Sequence, residues 1–163
     1  MRTIVLSQGY YAMVSDEDFE WLSQRSWCVK ESKRKRNPSI WYAIHSSRKH
    51  SHVYMHREIA KRCSFPEASR TDHVDGNGLN NQRSNLRPCS DSENLGNSRK
   101  TNNRSSRFKG VTWNKRNRKW NVRVTKGRET HWLGSFENEK AAAAAYDKGA
   151  ALYFGEFANL NFK

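Results

Sequence analysis

The sequence has few cysteines and few prolines, and it has no long apolar run. The three cysteines, Cys28, Cys63 and Cys89, are far apart and form no CxxC pair. Neither a disulfide framework nor a zinc ribbon is therefore expected, and a reducing compartment suits the chain. The apolar stretch near the N-terminus is too short for a signal peptide, and acidic residues soon follow it. We therefore expect an intracellular, cytoplasmic protein.

Acidic residues are also scarce. Asp and Glu number 16 against 30 Lys and Arg, which gives a formal net charge of +14. A chain this basic is expected to bind a polyanion, with nucleic acid as the first candidate. An anionic membrane is the rival partner, but the sequence shows neither a basic amphipathic helix nor an apolar span. We therefore expect a nucleic-acid partner and no membrane.

Hydrophobic residues make up only 35% of the 163 residues, so one large core is not expected. Six Trp, six Tyr and seven Phe nevertheless supply a large buried area per residue. This composition favours compact, aromatic-rich modules over disorder, and the length suits one or two small domains.

Residues 1–60 are predicted to form a β-rich module. The stretches TIVLS and YYAMVS flank Gln8-Gly9 and predict a β-hairpin. Ser15 and Asp18 resemble a capping box at the start of a short helix. Alternating stretches predict three further strands, and the last of them runs into a predicted helix. These are SWCVKE, IWYAIHS and HVYMHRE for the strands, and MHREIAKRC for the helix.

Two features of this module allow more than one interpretation. The basic run Lys33 to Arg36 is a solvated loop or, in so basic a protein, a phosphate contact. His52 and His56 are four residues apart and could share a helix face as zinc ligands, but no second pair of ligands lies nearby. Two structural or surface histidines are the preferred interpretation, and no structural zinc is expected.

Residues 99–107 are predicted to be a basic linker, and residues 108–163 a second module. FKGVTW, KWNVRVT and THWLGSF alternate as three short strands, with Gly127 at the turn between the last two. An alanine-rich helix follows, with Glu137 and Glu139 in its first turn and Gly155 at its end. We expect a three-stranded antiparallel sheet packed closely on this one helix.

Charge and aromatic residues coincide in the second module. Arg99–Arg128 holds twelve Lys or Arg and no acid, and Trp113, Trp120 and Trp132 lie in or just beyond this run. A basic, aromatic sheet face suits binding in a DNA groove. Because strand residues alternate, one face has to be core. We therefore expect at least one of these Trp side chains to be buried and at least one to be exposed.

Residues 61–98 carry the candidate chemistry. Asp72 and Asn94 supply hard oxygen ligands that suit Mg²⁺, and a neutral His73 can take a proton from water. A metal ion with a base is sufficient for phosphodiester hydrolysis. A thiol nucleophile at Cys89 lacks an activating environment.

The asparagines of this segment suggest a calcium loop, but the spacing excludes it. Counted from Asp75, the required glycine at the sixth position is Asn80, and the required Glu at the twelfth is Leu86. Asn80 and Asn81 are therefore interpreted as turn formers.

The stretch DHVDGNGLNNQRSNLRPCSDSEN resembles the HNH nuclease motif of phage and intron-encoded homing endonucleases. The resemblance implies the ββα-metal fold, a hairpin and a helix around one metal ion, packed on residues 1–60. It implies that His73 is the general base and that Asp72 and Asn94 bind the metal. It also gives Asn85 a place in the catalytic motif, where it pins the hairpin loop through backbone hydrogen bonds. Asn94 replaces the last motif His, as in known variants of the family.

The same resemblance carries further expectations. The helix begins near Ser90 or Asp91 and holds Asn94 in its first turns, facing Asp72. The cofactor is a divalent metal ion, Mg²⁺ in the first place and Mn²⁺ as the alternative. Arg87 either holds DNA or forms a structural salt bridge.

Residues 107–162 resemble a second family, the AP2 (ethylene-response-factor-type) DNA-binding domain. The KGV start, WLGSF, AAAAYDKGA and the LNF end carry the resemblance. It implies a sheet in the major groove of DNA, with Lys109, Lys119 and Trp132 at contact positions. Charge on the sheet and its turn adds four candidates: Lys115, Arg116, Arg118 and Arg123. Three positions depart from the plant pattern, where Arg is frequent, so the plant target sequence does not transfer: Thr112, Thr125 and Thr130.

Together these patterns predict an α+β, site-specific HNH DNA endonuclease of homing type. We expect a monomer that acts on double-stranded DNA in a bacterial or phage-infected cell, leaves 5′-phosphate and 3′-hydroxyl ends, and uses no small-molecule cofactor. There are two alternatives. One is a non-catalytic, sequence-specific DNA-binding regulator with a vestigial HNH fold, and the other is an RNA-binding accessory protein.

Overall fold

The computed structural model describes residues 1–34, 37–46, 52–67, 69–100 and 105–162. These residues form four small sheets and four α-helices, so the predicted α+β class is confirmed. None of the described helices combines the length and the apolar character that crossing a bilayer requires.

The chain divides into two compact units. The first contains Met1–Arg34 and Ser39–Cys89, and the second contains Ser90–Lys163. The predicted limits of the modules, at residues 60, 98 and 107, stay predictions. Residues 101–104 of the predicted linker lie outside the described part of the chain, as do residues 35 and 36 and the side chains of Lys33 and Arg34. The backbone of Lys33 and Arg34 ends a strand, contrary to the loop predicted there.

The first unit contains eight described strands and two helices. The strands are β1 (Arg2–Val5), β2 (Tyr11–Val14), β3 (Cys28–Arg34), β4 (Asn37–Ser46), β5 (His52–Tyr54), β6 (Arg70–His73), β7 (Asn80–Asn81) and β8 (Leu86–Cys89). The helices are α1 (Asp16–Ser23) and α2 (Met55–Arg62). The strands pair in the orders β1-β2-β7, β3-β4-β5 and β6-β8. The strands and helices predicted for residues 1–62 are present, except that the strand predicted over HVYMHRE ends at Tyr54, where α2 begins. The turn at 47–50 lies outside the described residues.

Apolar contacts from distant parts of the sequence hold the first unit together. Its buried core is Ile4, Leu6, Ala12, Val14, Leu22, Trp27, Ala43, Met55, Ile59 and Leu86. The β1–β2 turn has positive φ at Gln8 (73°) and Gly9 (76°), as tight hairpin turns require. β2 pairs in parallel with β7, and α2 packs on β6 and β8. The β6–β8 hairpin is thereby fixed to the N-terminal sheet.

Ser15 and Asp18 do not form the predicted capping box, although the helix itself is present. The Ser15 side chain accepts no cap hydrogen bond from α1, and its Oγ accepts one from Arg83 N at 2.9 Å. Asp18 is fully buried, and its carboxylate accepts from Arg83 Nε at 2.7 Å and Nη2 at 2.8 Å, and from Trp21 Nε1 at 3.0 Å. The prediction is wrong because a guanidinium group meets a carboxylate with two bonds, which outweighs one local backbone cap.

We expect Asp18→Asn to destabilise the first unit. Removing one partner of a buried ion pair costs about 3–5 kcal/mol. We expect the lower end of this range, because Arg83 also contacts Glu17 Oε2 at 2.7 Å. Burial raises the pKa of Asp18, but the hydrogen bonds from Arg83 and Trp21 outweigh it, so the pKa lies below its ordinary value. The contribution is therefore present above the unfolded-state pKa of about 4 and is lost as the pH falls below it.

Urea unfolding near neutral pH and at about pH 3 measures both effects. The deficit of Asp18→Asn should be large near neutral pH and should narrow in acid, where the wild type also loses the carboxylate charge. Glu20→Gln, which removes an exposed carboxylate from the same helix, is the matched control. A deficit that is independent of pH, or equal stability of the two variants, would contradict the expectation.

The second unit is a sheet with a long helix packed across it. Its elements are α3 (Asp91–Asn97), β9 (Val111–Asn114), β10 (Lys119–Lys126), β11 (Glu129–Phe136) and α4 (Glu139–Phe154). The strands form one antiparallel sheet with β10 in the middle, as predicted. α4 begins behind the N-cap Asn138, so Glu137 lies outside its first turn, contrary to prediction. Gly155 ends the helix with a φ of 53°, as predicted.

The side of the sheet that faces α4 is the core of the second unit. Val122 and Val124 are buried there against small helix residues such as Ala142 and Ala143. Trp120 packs half-buried against this core, and its ring lies 4.8 Å from that of Trp113, measured between centroids. The outward-facing Trp expected from the strand alternation is Trp132, which is 59% exposed.

A β-bulge determines which way Trp132 points. Val122 pairs with Gly134, but the next pair is Arg123 with Trp132, so Leu133 is an extra residue. Without the bulge Trp132 would pair with Val124 and face α4, because directly paired residues share one face of a sheet. The extra residue instead puts Trp132 on the outer face beside Arg123.

Candidate active site and nucleic-acid interface

The β6–β8 hairpin pairs the start of the candidate motif with the strand that follows Asn85. Asp72 pairs with Arg87 and His73 with Leu86 in an antiparallel register, so the predicted hairpin is confirmed. Both Asp72 and His73 are buried.

Asn85 holds the segment that connects these two strands. Its Oδ1 accepts from Asp75 N at 3.1 Å, and its Nδ2 donates to Asp75 Oδ1 at 3.0 Å and to the Asn80 carbonyl at 2.8 Å. These are contacts that a loop-pinning residue makes. The importance of Asn85 for catalysis stays a prediction.

Asp75 is fully engaged in the same loop. Its carboxylate accepts from Asn77 N at 2.8 Å and from Asn80 Nδ2 at 2.8 Å, in addition to Asn85. Burial raises the pKa of Asp75, but these hydrogen bonds outweigh it and the pKa lies below its ordinary value. Asp75 therefore acts as a structural carboxylate that organises the connection.

Asp72 is paired with a cation. Arg87 Nε and Nη2 both donate to Asp72 Oδ2, at 3.1 and 3.0 Å. This is the structural salt bridge that was one of the two expectations for Arg87. A bidentate guanidinium fixes the orientation of the carboxylate. A role of Arg87 in holding DNA stays a prediction.

His73 is buried beside aromatic and polar side chains. Its ring centroid is 4.9 Å from that of His56 and 6.0 Å from that of Tyr42. Burial lowers the pKa of His73, although Asn81, Asp75 and Asp72 act in the opposite direction. The imidazole is therefore neutral near neutral pH, which is the form that accepts a proton.

The contact with Asn81 distinguishes the two ring nitrogens of His73. Nε2 lies 3.4 Å from Asn81 Oδ1. A proton on Nε2 points to this oxygen and leaves Nδ1 with its lone pair, because a neutral imidazole carries one donor and one acceptor. Asn81 is not the turn former that was predicted. It lies in β7, pairs with Val14 and is fully buried.

His56 is the other buried histidine of this site. His52 lies exposed on β5 and His56 lies buried at the start of α2, so the alternative in which they share a helix face is wrong. Burial, the neighbouring His73 and Arg57 together lower the pKa of His56 to about 3. In the described part of the chain, His56 Nδ1 and Asn81 Nδ2 are buried without a hydrogen-bond partner. Such atoms are rare in folded proteins.

The helix with the third motif residue lies in the second unit. α3 begins at Asp91 behind Ser90, which forms a complete capping box with Glu93, so the predicted start is confirmed. Asn94 is half-buried in this helix. The metal-centred arrangement of the hairpin and the helix stays a prediction, as does the orientation of Asn94 towards Asp72.

The predicted metal ligands are one carboxylate, Asp72, and one amide, Asn94. Among the described residues no group of three or more His, Cys, Asp and Glu side chains is placed to hold a metal ion. The predicted donors nevertheless fit Mg²⁺ in their chemistry. Mg²⁺ takes oxygen ligands and is often held by one or two protein groups, with water and substrate phosphate completing its shell.

The outer face of the second unit's sheet is polar and basic. Arg123 and Trp132 are exposed neighbours on it, and the hydroxyl groups of Thr125 and Thr130 lie 3.0 Å apart. Lys119 is half-buried at one end, with Nζ 3.7 Å from a Glu137 oxygen. The turn between β9 and β10 adds exposed cations, which are Lys115, Arg116 and Arg118. These placements suit contact with a polyanion, and the DNA-binding roles of the individual residues stay predictions.

Lys109 differs from the other predicted DNA contacts. It is half-buried, and its Nζ donates to the Gly96 carbonyl, to the Ser98 carbonyl at 2.8 Å and to the Leu95 carbonyl at 3.5 Å. Burial lowers the pKa of Lys109 to about 8. The ammonium group is thus already engaged by α3 and the residue after it.

Comparison with known proteins places the chain among viral relatives. Protein 3.8 of Escherichia phage T7 is 32% identical over 94 residues, which are 58% of this chain and 77% of the phage protein. The chain belongs to the same family as Protein 3.8. An uncharacterized HNH endonuclease of Acanthamoeba polyphaga mimivirus is 29% identical over 154 residues, which are 94% of this chain and 76% of the viral protein.

This relative of Protein 3.8 also matches plant proteins over a shorter stretch. An AP2/ERF and B3 domain-containing protein of Oryza sativa subsp. japonica is 43% identical over 58 residues. The match covers 36% of this chain and only 16% of the plant protein. No family model matches the chain, and no solved structure matches it.

Two neighbours of His73 in this member of the Protein 3.8 family could not be found from the sequence. His56 follows a strand and opens a helix, and its only local signal, the spacing from His52, points to a different interpretation. Asn81 lies among other asparagines of a polar segment that is typical of a turn. Both side chains reach His73 only when α2 and β7 pack around the hairpin.

Proposed function

We propose that this protein is a metal-dependent, site-specific HNH DNA endonuclease of homing type. The observation that carries the proposal is the buried Asp72-His73 pair at the end of β6, in a chain similar over 94% of its length to an HNH endonuclease. A neutral imidazole beside a cation-paired carboxylate supplies a base and an oxygen ligand at one point of the backbone.

His73 is the proposed general base. Its Nδ1 takes a proton from a water molecule while Nε2–H is held towards Asn81 Oδ1. The water oxygen bonds to phosphorus, the bond from phosphorus to O3′ breaks, and the leaving oxygen takes a proton from solvent. One water molecule is consumed, and the products are a 5′-phosphate and a 3′-hydroxyl end.

Asp72 and Asn94 are the proposed ligands of one divalent ion, Mg²⁺ or Mn²⁺. When bound, the ion would neutralise the charge of the scissile phosphate and of the leaving oxygen. Arg87 holds the Asp72 carboxylate in one orientation through two hydrogen bonds to Oδ2. Asn85 holds the loop between β6 and β8 in place, because it accepts a hydrogen bond from Asp75 N and donates one to the Asn80 carbonyl.

The sheet of the second unit is the proposed DNA-binding surface. Similarity to an AP2/ERF domain-containing protein and the exposed Arg123 and Trp132 support this role. Cations in the neighbouring turn would bind phosphates, which supply much of the affinity, while the sheet face would read base edges. We propose that a monomer binds duplex DNA in this way.

A second candidate, a DNA-binding regulator that does not cut, is favoured by one observation. Arg87 occupies Asp72 Oδ2 with two hydrogen bonds, as a salt bridge in a vestigial site would. Binding experiments do not separate the two candidates, because both require sequence-specific DNA binding.

We expect the purified protein to cut DNA in a metal-dependent manner. A plasmid library with random inserts is incubated with Mg²⁺ or Mn²⁺, and cut molecules are recovered and mapped on both strands. Nicked or linear products with 5′-phosphate ends are expected, and EDTA should abolish them. Specific DNA binding with intact plasmid in every metal would establish the regulator instead.

A further inference from the structure

α3 is built into the second unit at several points. Gly96 lies against the Phe154 ring of α4 so closely that a Cβ atom there would be 2.7 Å from a ring carbon. Ser92 Oγ accepts a hydrogen bond from Gly127 N, in the turn after β10, at 2.9 Å. The helix that carries Asn94 is thus packed on the sheet and helix of the proposed DNA-binding module.

The C-terminal end of α3 is capped by two residues from elsewhere in this module. Lys109 Nζ donates to the carbonyls of Leu95, Gly96 and Ser98. Asn159 N donates to the Gly96 carbonyl at 3.2 Å, and its Nδ2 donates to the Asn97 carbonyl at 3.0 Å. The last carbonyls of a helix have no partner within it, and the helix dipole favours a cation at this end.

The backbone around Lys109 is itself fixed. Lys109 N donates to Asn161 Oδ1 at 2.7 Å, and Asn161 Nδ2 returns a bond to the Lys109 carbonyl at 3.2 Å. Asn161 N in turn donates to Asp147 of α4 at 2.8 Å. The cap therefore connects α3 to α4 and to the C-terminal segment, and it uses all three donors of the ammonium group.

We infer that Lys109 and Asn159 are positioning residues for Asn94, so that the DNA-binding module holds one ligand of the catalytic metal ion. The inference rests on the proposed function. It reassigns Lys109 from a phosphate or base contact to a helix cap. Because a displacement of about 1 Å at a catalytic group can cost 10²-fold in rate, loosening this cap should slow cutting without removing any group that touches DNA.

Hydrogen exchange and cutting assays on the full chain test the inference. Lys109→Met keeps the aliphatic stem and removes the ammonium group, and Asn159→Ala removes the second cap without a change of charge. Lys148→Met removes an exposed charge from α4 of the same module and is the matched control. We expect faster amide exchange in residues 94–98 for the first two variants and not for the control.

The same variants are compared in cutting at saturating DNA. Lys109→Met and Asn159→Ala should lower the rate by roughly 10–100-fold and raise the Mn²⁺ concentration at half-maximal rate. Their DNA affinity should stay that of the wild type, and Lys148→Met should leave both DNA affinity and the rate at saturation unchanged. Lys109→Arg, which keeps donors at this position, should recover part of the rate.

Three outcomes would overturn the inference. One is unchanged exchange in residues 94–98. Another is a wild-type cutting rate in both cap variants. The third is a Lys109→Met variant with weaker DNA binding, a salt slope reduced by about 1 and a normal rate at saturation, since this is the behaviour of a phosphate contact. If Lys109→Met does not fold, Asn159→Ala and Lys109→Arg decide by the same criteria.

If the proposed endonuclease function is wrong, the cutting assay and the exchange measurement give a different pair of results. In that case the wild type does not cut under any metal, while the exchange measurement still shows whether Lys109 and Asn159 hold α3.

Discussion

His73→Ala is expected to abolish metal-dependent cutting while DNA binding is retained. A general base contributes about 10²–10⁴-fold to a rate, and we expect a loss of this size because no other neutral imidazole takes over the role. We do not expect His56 to replace it, since its ring is itself buried and its centroid lies 4.9 Å from that of His73. DNA binding should persist, because the exposed basic side chains that are proposed to support it lie in the other unit.

The comparison needs controls for folding and for chemistry. His52→Ala removes an exposed histidine from β5 and should cut like the wild type. His73→Gln fills more of the pocket than Ala, so a shared loss of cutting with a wild-type melting temperature would exclude unfolding as the cause. Added imidazole should partly restore cutting by His73→Ala but not by an Asp72→Ala variant, because only the former lacks a base. Equal cutting by His73→Ala and wild type would end the assignment of His73 as the base.

Gly110→Ala is expected to destabilise the second unit more than Gly127→Ala does. Gly110 has a φ of 75°, and a Cβ atom there would lie 1.8 Å from a ring carbon of Tyr146. A left-handed backbone costs a residue with a Cβ about 1–2 kcal/mol, and overpacking a core adds about 1–3 kcal/mol. Tyr146 is buried in the core of the second unit.

Gly127→Ala separates the cost of the left-handed backbone from the cost of overpacking. Gly127 has a φ of 62°, but no atom lies within 4 Å of the position of a Cβ there. It should therefore show the backbone cost alone. For a domain of this size each kcal/mol lowers the melting temperature by about 4–8 °C, so the two variants should differ clearly in thermal unfolding.

DNA affinity is measured on the same two variants. Gly110→Ala should lose binding at temperatures where Gly127→Ala still binds, because the proposed DNA-binding surface exists only in the folded sheet. Equal melting temperatures for the two variants would show that Tyr146 does not fill the space next to Gly110.

Local patterns were sufficient for most of the secondary structure. The β-hairpin at Gln8-Gly9, the three strands of the second unit and the helix that follows them depend on alternation, turn residues and helix propensity, and these act between near neighbours. The capping box of α3 is equally local, and the start of this helix was implied by the family resemblance. The capping box predicted at Ser15 does not form, because the Asp18 carboxylate pairs with Arg83, which is 65 residues away in the sequence.

The candidate site shows the same division between what the sequence determines and what tertiary packing determines. The sequence by itself determined the Asp72-His73 pair, the hairpin that presents it and the helix that contains Asn94. Only the tertiary structure decided that His56 and Asn81 enclose His73, that Lys109 caps α3, and that a bulge at Leu133 turns Trp132 outwards. These contacts join residues that are distant along the chain. Their partners are selected by packing and by the need to satisfy buried polar groups, which no local sequence pattern encodes.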